Sequence, residues 1–239
     1  MNGIKRFLKG IVTLFFPNTC LGCGEIIDEG EFFCDCCFEM LESCSLDKQC
    51  IKCGLSKKHC ECKYKSFSFS GITAPFYNEG RAQRAMYTYK FRKRIYISDF
   101  FAKRISLAVK YSFHGIRFDG ICYVPLCGKS LRKRGFNQSR EIAYRMSEIL
   151  GIPLIEEQLG CRKKKYSQHL MPKNKRFENV KGVYYPKKPC HGTVLLVDDI
   201  KTTGATLDEC TKQLLKSGAD AVYCAAGLIS HNKYKKRKV

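Results

Sequence analysis

The sequence predicts an α/β protein: a parallel sheet flanked by helices, preceded by a small cysteine-rich segment stapled by metal. Three observations carry this. Thr193–Val197 and Ala221–Ile229 are apolar, strand-like runs that bracket a helical pattern at 207–216, which is a β-loop-α-β unit. Ile121–Val124 is another short apolar run of the kind buried in parallel sheets. Ten of the 16 cysteines fall between 20 and 62, several of them in Cys-x-x-Cys pairs. With 239 residues, one medium domain and one appendage are expected, divided as 1–66 and 67–239.

The first segment, Met1–Pro17, has Ile4, Phe7, Leu8, Ile11, Val12 and Phe15 at helical spacing, with Lys5, Arg6 and Lys9 opposite. Such a helix either packs on the protein's own body or lies on an anionic membrane surface. It lacks a small-residue cleavage site, and its apolar portion is too short to span a bilayer. A cytoplasmic protein, peripheral to the inner membrane face at most, is expected, with reduced thiols.

Residues 18–65 carry the clustered cysteines. Cys20-Leu-Gly-Cys23 and Cys50-Ile-Lys-Cys53-Gly54 are knuckle turns in which glycine lets backbone amides approach sulfur. Cys34 and Cys37 form a third pair, and Cys60 and Cys62 a tighter fourth. If pairing is sequential, two four-thiolate zinc sites follow, 20/23/34/37 and 50/53/60/62, with Cys36, Cys44 and His59 to spare; the tighter Cys60–Cys62 spacing leaves one or two structural zinc ions open. Four thiolates leave no open coordination position, so these sites are read as structural. The remaining six cysteines are expected to be separately buried.

Phe67–Ala74 reads as a strand, Ala82–Tyr89 as a helix, and Phe100–Val109 as a second helix facing inward through Phe101, Ile105, Leu107 and Val109. Phe76, Tyr77, Tyr87, Tyr89, Phe91 and Tyr96 interleave with basic residues, a pattern that suits single-stranded nucleic acid. After the strand at 121–124, Pro125–Ser130 reads as a turn. Gly128-Lys-Ser130 imitates the end of a phosphate-binding loop, but Tyr123 stands where that loop needs its first glycine, which excludes a P-loop ATPase. A helix follows at 139–149, with Ile142, Met146, Ile149 and Leu150 inward. Asn137 and Gln138 either cap it or line a site. Residues 162–176 are basic and without apolar periodicity, which suggests a lid or loop.

The net charge of +21 is dense at 81–104, 129–140, 162–188 and 233–238. A chain this basic points to nucleic acid, anionic membrane or polyphosphate.

At the end of the strand 193–197 stand Asp198 and Asp199, followed by Thr202, Thr203, Gly204 and Thr206 before a helix. Helix N-termini at the carboxyl ends of parallel strands attract phosphate. Neighbouring carboxylates accept hydrogen bonds from sugar hydroxyls, or meet magnesium through water. A sugar phosphate suits both features. The alternative is a plain helix cap by Thr202.

Leu196-Val-Asp-Asp-Ile-Lys-Thr-Thr-Gly-Ala-Thr206 resembles the phosphoribosyl pyrophosphate (PRPP) motif of type I phosphoribosyltransferases. Taken with the cysteines and Arg134-Gly-Phe-Asn-Gln138, the chain is similar to the ComF (ComFC) competence family. The resemblance implies a type I phosphoribosyltransferase domain with a hood loop, behind a double zinc ribbon. It implies that Asp198 and Asp199 hold the ribose hydroxyls, and that Thr202, Thr203, Gly204, Ala205 and Thr206, next to the variable Lys201, hold the 5′-phosphate. It places Lys129 and Arg134 at the pyrophosphate, with Arg162, Gln168 and Arg176-Phe-Glu-Asn179 in the hood, and Lys90-Phe91 at a ligand or DNA. Magnesium accompanies PRPP in such enzymes. The family association implies DNA uptake, contact with single-stranded DNA and with membrane-associated uptake machinery. Two functions stay open: a working phosphoribosyltransferase acting on a base or nucleotide, and a DNA-binding module that keeps the fold without catalysis.

Overall fold

A computed structural model describes residues 17–60, 62–162, 178 and 180–230. The expected first helix and the basic tail lie outside the described residues, as does nearly all of the expected lid. Within them, no helix is long and apolar enough to cross a membrane.

The sheet is built on two long neighbours, β6 (Thr193–Lys201) and β7 (Ala221–Ile229). β3 (Gly120–Tyr123) flanks β6, while β1 (Gly71–Thr73) and β2 (Phe76–Tyr77) both pair with β7. Every pairing in this sheet is parallel. Val194 through Val197 are fully buried, because both faces of β6 are covered. Successive side chains alternate between the faces. Leu195 and Val197 pack in one core with Tyr89, Phe101, Ile105, Ile142 and Met146. Val194 and Leu196 pack in another with Leu207, Cys210, Leu214 and Tyr184.

The first core is supplied by the helices Gly80–Phe91, Ile97–Ser112 and Gln138–Leu150, and the second by Ala205–Lys216. With the short helices Asp35–Glu39 and Gly128–Arg134, these are α1 to α6 in chain order: 35–39, 80–91, 97–112, 128–134, 138–150 and 205–216. An antiparallel hairpin, β4 (Leu159–Cys161) with β5 (Tyr184–Pro186), packs against α6.

Several expectations need correction. The strand expected over 67–74 shrinks to β1: before it the Ser68 amide is taken by the Asp208 carboxylate at 2.6 Å, and after it Pro75 offers no N–H and its carbonyl is taken by Cys44. β6 does not stop at Val197; its ladder with β7 runs on to Lys201, so the acids lie within the strand. The turn expected through Ser130 gives way to α4 at Gly128, closed by a left-handed Gly135. Leu107 and Ile149 are exposed rather than inward, since the buried stripe of α3 runs through 97, 101, 105 and 108 and that of α5 ends at Met146. Cys127 and Cys161 are not separate thiols. The β4–β5 hairpin sets Cys161 against the loop after β3, and the two are joined in a disulfide with Cα atoms 5.5 Å apart.

The cysteine-rich segment has little regular structure of its own: α1 and two single 3-10 turns. It is fastened to the sheet domain. Cys20, Leu21, Phe33, Cys37 and Leu41 join the first core, where Phe33 meets Phe100 at 5.0 Å. Glu42 reaches across to the start of α2, accepting from the amides of Arg81 and Ala82 at 3.1 Å each. A carboxylate there satisfies two orphan amides and complements the helix dipole. Glu42→Ala is therefore expected to lower the unfolding free energy by about 1–2 kcal/mol. Urea denaturation of the zinc-loaded chain measures this, and an unchanged midpoint would refute the cap.

Candidate functional site

Asp198 lies in register with Ala226, one residue beyond the last β3–β6 pair, Tyr123 with Val197. Sheet support on the β3 side therefore ends as the acids begin, and helices take over. From α5, Ser139 Oγ donates to Asp198 Oδ1 at 3.0 Å. The Asp199 amide donates to the same oxygen at 2.8 Å. From α2, Lys90 Nζ pairs with Asp199 Oδ2 at 2.8 Å. The flanking residues are also tied together, since Tyr89 Oη donates to the Gln138 carbonyl at 2.9 Å. Tyr89–Lys90 and Gln138–Ser139 thus form a clamp around the acid pair.

Burial pushes the Asp198 carboxyl up, and the adjacent Asp199 charge pushes it further, to about 7. The Asp199 amide, Lys90 and Ser139 act in the opposite direction without cancelling the rise.

The chain leaves β6 at Lys201 and turns through Thr202-Thr203-Gly204 into α6. Gly204 is the N-cap, with φ of 86°, and a Cβ there would meet the Phe67 ring at 2.8 Å. Glycine is required on both counts. Thr203 Oγ1 accepts from the Ala205 amide at 3.4 Å, and the alternative of a cap by Thr202 is not what forms, since Gly204 is the N-cap. Amides at the start of α6 point out of the helix. Thr206 bonds the buried Tyr184. Lys201 is buried, with Nζ 5.6 Å from the Phe67 ring centre.

Asn137 is the cap of α5: its Oδ1 accepts from the amides of Ser139 and Arg140, while its Nδ2 donates to the Val124 carbonyl. Arg134 donates to Gln138 Oε1 at 2.8 Å and stacks over Phe91 at 5.4 Å. Arg134 and Asp198 are thus bound to consecutive residues of one helix. Lys129 lies on α4, and its side chain is outside the described residues. Arg162 is exposed and sits 5.3 Å over Tyr185. Gln168, Arg176 and Asn179 fall outside the described residues.

The two expected thiolate groups are both assembled: Cys20, Cys23, Cys34 and Cys37, and Cys50, Cys53, Cys60 and Cys62, each with sulfurs within 4.8 Å of one another. Sulfur separations include 3.8 Å for Cys23–Cys34, 3.7 Å for Cys50–Cys62 and 3.7 Å for Cys53–Cys60. A tetrahedron with metal–sulfur bonds of about 2.3 Å has edges of roughly 3.8 Å, so each group can hold a zinc ion. Burial opposes ionisation of Cys20, but amides of Cys23, Cys34 and Gly22 draw it down to about 6. Burial and then its three neighbouring sulfurs push Cys62 far up. Four adjacent thiols cannot all ionise without a cation between them. Cys36 and Cys44 stand outside both groups, and His59 Nδ1 is engaged with Ser56 Oγ at 2.9 Å.

Sequence reading missed Ser139 and the pairing of Lys90 with Asp199. A signal was there for Lys90. Ala82, Ala85, Met86 and Tyr89 form a buried stripe, and Lys90 is on it. A lysine on an apolar stripe needs a buried partner.

No family model matches the chain. It is 31% identical over 137 residues to the DNA utilization protein YhgH of Escherichia coli K12, covering 56% of this chain and 60% of that protein. It is 29% identical over 145 residues to Competence protein F of Haemophilus influenzae, covering 56% and 62%. The match to Competence protein ComFC of Streptococcus pneumoniae is 29% over 194 residues, covering 79% and 82%. The chain thus spans about three fifths of the length of the YhgH relatives it matches. Solved structures of similar shape include an adenine phosphoribosyltransferase, at a TM-score of 0.37 and 13% identity over 59% of this chain and 74% of that one. Another is glutamine PRPP amidotransferase from B. subtilis, at 0.36 and 19% over 54% and 25%.

Two predictions follow from the geometry. Metal analysis of chain purified under reducing conditions is expected to find two zinc ions, and Cys37→Ser and Cys60→Ser one each; a metal-free wild type would refute both sites. The second concerns Asp198, whose proton the folded state keeps to about pH 7 while the unfolded chain releases it near pH 4. Its contribution to stability is therefore full below about pH 4 and declines as pH rises to about 7. Asp198→Asn is expected to gain stability relative to wild type between pH 5.5 and pH 8, measured by urea denaturation. A pH-independent difference would show an ordinary carboxyl.

Proposed function

We propose that this chain, a homologue of the competence F, ComFC and YhgH proteins, binds PRPP at the carboxyl end of β6. One observation carries the proposal: a clamped acid pair, Asp198 and Asp199, stands five residues before the glycine N-cap of a helix, Gly204. Asp198 and Asp199 accept from the ribose hydroxyls. The turn Thr202–Thr206, with the amides of the first turn of α6, takes the 5′-phosphate. Arg134, with Lys129 from α4, meets the pyrophosphate, and Arg134 is already oriented by Gln138.

The donor set fits magnesium that arrives with its ligand. Among the described residues, Oδ1 of Asp198 and Oδ2 of Asp199 are engaged, which leaves one oxygen on each acid. Magnesium prefers six oxygens and usually keeps waters and substrate phosphates among them. When bound, it neutralises the pyrophosphate.

In this reading residues 1–66 form a ribbon domain scaffolded by zinc, and 67–239 a phosphoribosyltransferase-like domain. The biological role is that of the named relatives, DNA utilization and competence, with single-stranded DNA as the macromolecular partner. The basic residues and exposed aromatics Tyr87, Phe91 and Tyr96 support a strand-binding surface. Contact with uptake machinery at the inner membrane face belongs to the same proposal.

Calorimetry with PRPP and magnesium tests the site. The wild type is expected to bind, and Asp198→Ala/Asp199→Ala to bind at least about tenfold more weakly. Equal binding by both would remove the acid pair from the site, and no binding by either would end the PRPP proposal. Pyrophosphate release in the same samples distinguishes turnover from binding alone.

A further inference from the structure

Lys90 enters the acid pair from a different helix and is mostly withdrawn from water, with 11% of its side chain exposed against 14% for Asp199. An ammonium and a carboxylate so placed are costly unless they stay paired. Lys90 is also in the last turn of α2, where the helix dipole favours a cation. The close packing continues behind the acid: a Cβ on Gly227 would meet the Asp199 carbonyl oxygen at 3.0 Å and Met86 Cε at 2.8 Å. The pair therefore has little room to rearrange.

Two neighbouring carboxylates form a ready site for a hard divalent cation. Here one of the four carboxylate oxygens is taken by an ammonium, and another by a hydroxyl and an amide. A metal arriving alone would find two protein oxygens beside a fixed positive charge. A metal arriving on a polyphosphate brings its own ligands and its own negative charge.

We propose that Lys90 is a positioning residue and built-in counter-cation of the acid pair: it fixes the Asp199 carboxylate for a sugar diol and excludes free divalent metal until a phosphorylated ligand carries one in. The inference rests on the sugar-phosphate reading of the site, but its first test does not.

That test is manganese binding to the zinc-loaded full chain without nucleotide or sugar, followed by electron paramagnetic resonance. Wild type is expected to bind weakly. Lys90→Met, close to lysine in length, is expected to bind at least about tenfold more tightly, the scale of removing one buried like charge. Lys90→Arg, which restores the charge, is expected to return to wild-type behaviour. Lys90→Met combined with Asp199→Asn is expected to lose the gain. Lys90→Gln serves in place of Lys90→Met if circular dichroism shows the latter unfolded. Equal manganese affinity in wild type and the neutral variants overturns the metal-exclusion role. In calorimetry with PRPP and magnesium, Lys90→Met is expected to bind at least about tenfold more weakly and Lys90→Arg to recover part of the loss. Unchanged PRPP affinity in Lys90→Met overturns the positioning role. Failure of the wild type to bind PRPP falls on the proposed function, while the manganese comparison still decides what Lys90 does.

Discussion

Two carboxylates forced side by side near the end of a buried parallel strand are the constraint to which the surrounding structure answers. Asp198 and Asp199 follow four fully buried residues, on a strand that continues past them to Lys201. Left alone, such a pair would repel, and its burial would favour protonation. α2 and α5 ease the conflict without removing it, with one ammonium and one hydroxyl, each delivered from the helix end nearest the acids. The ties are redundant: Tyr89 to Gln138 joins the two helices, and Asn137 joins α5 to the end of β3 through Val124. Shifting either helix would break several hydrogen bonds at once.

The cysteine-rich segment serves the same end by a different route. It holds few buried apolar residues of its own, and below about 70 residues such segments need metal or disulfides to fold. The two thiolate groups meet that need. The segment then acts on the sheet domain: Glu42 caps α2, the helix that carries Lys90, and Arg81 of that helix donates to Cys37 Sγ at 3.4 Å. The first cysteine site is thereby coupled to the acid pair through a single helix.

What could be read from the sequence depended on whether its cause was local. The unit β6–α6–β7 was legible because apolar periodicity and a glycine mark its parts. The cysteine groups were legible because ligand spacing is written in the chain. The length of β6 was not, because residues 198–201 are held as strand by their ladder to β7, whose paired residues lie 28 positions further along the chain. Ser139, the Lys90–Asp199 pair and the Cys127–Cys161 bond were likewise hidden, since each joins residues brought together only by helix packing or by the β4–β5 hairpin. Leu107 is apolar yet exposed, because hydrophobicity alone does not require burial and exposed apolar residues are ordinary.

The large positive charge and the small acidic pair act over different distances. A net charge of +21 sets a field around the molecule that draws in polyanions of many kinds, and salt screens it over about 8–10 Å. It favours nucleic acid and sugar phosphate alike and selects neither. Selection requires a feature that a bare phosphate chain would avoid, and Asp198 and Asp199 are such a feature. In the proposed binding mode they repel phosphate at short range and accept from hydroxyls, so a ligand with a diol near its phosphate would suit both the acids and the turn before α6. Lys90 keeps that repulsion from becoming prohibitive by cancelling one of the two charges. Attraction by the surface and discrimination by the acids are therefore separable properties of this chain, and a change in one need not disturb the other.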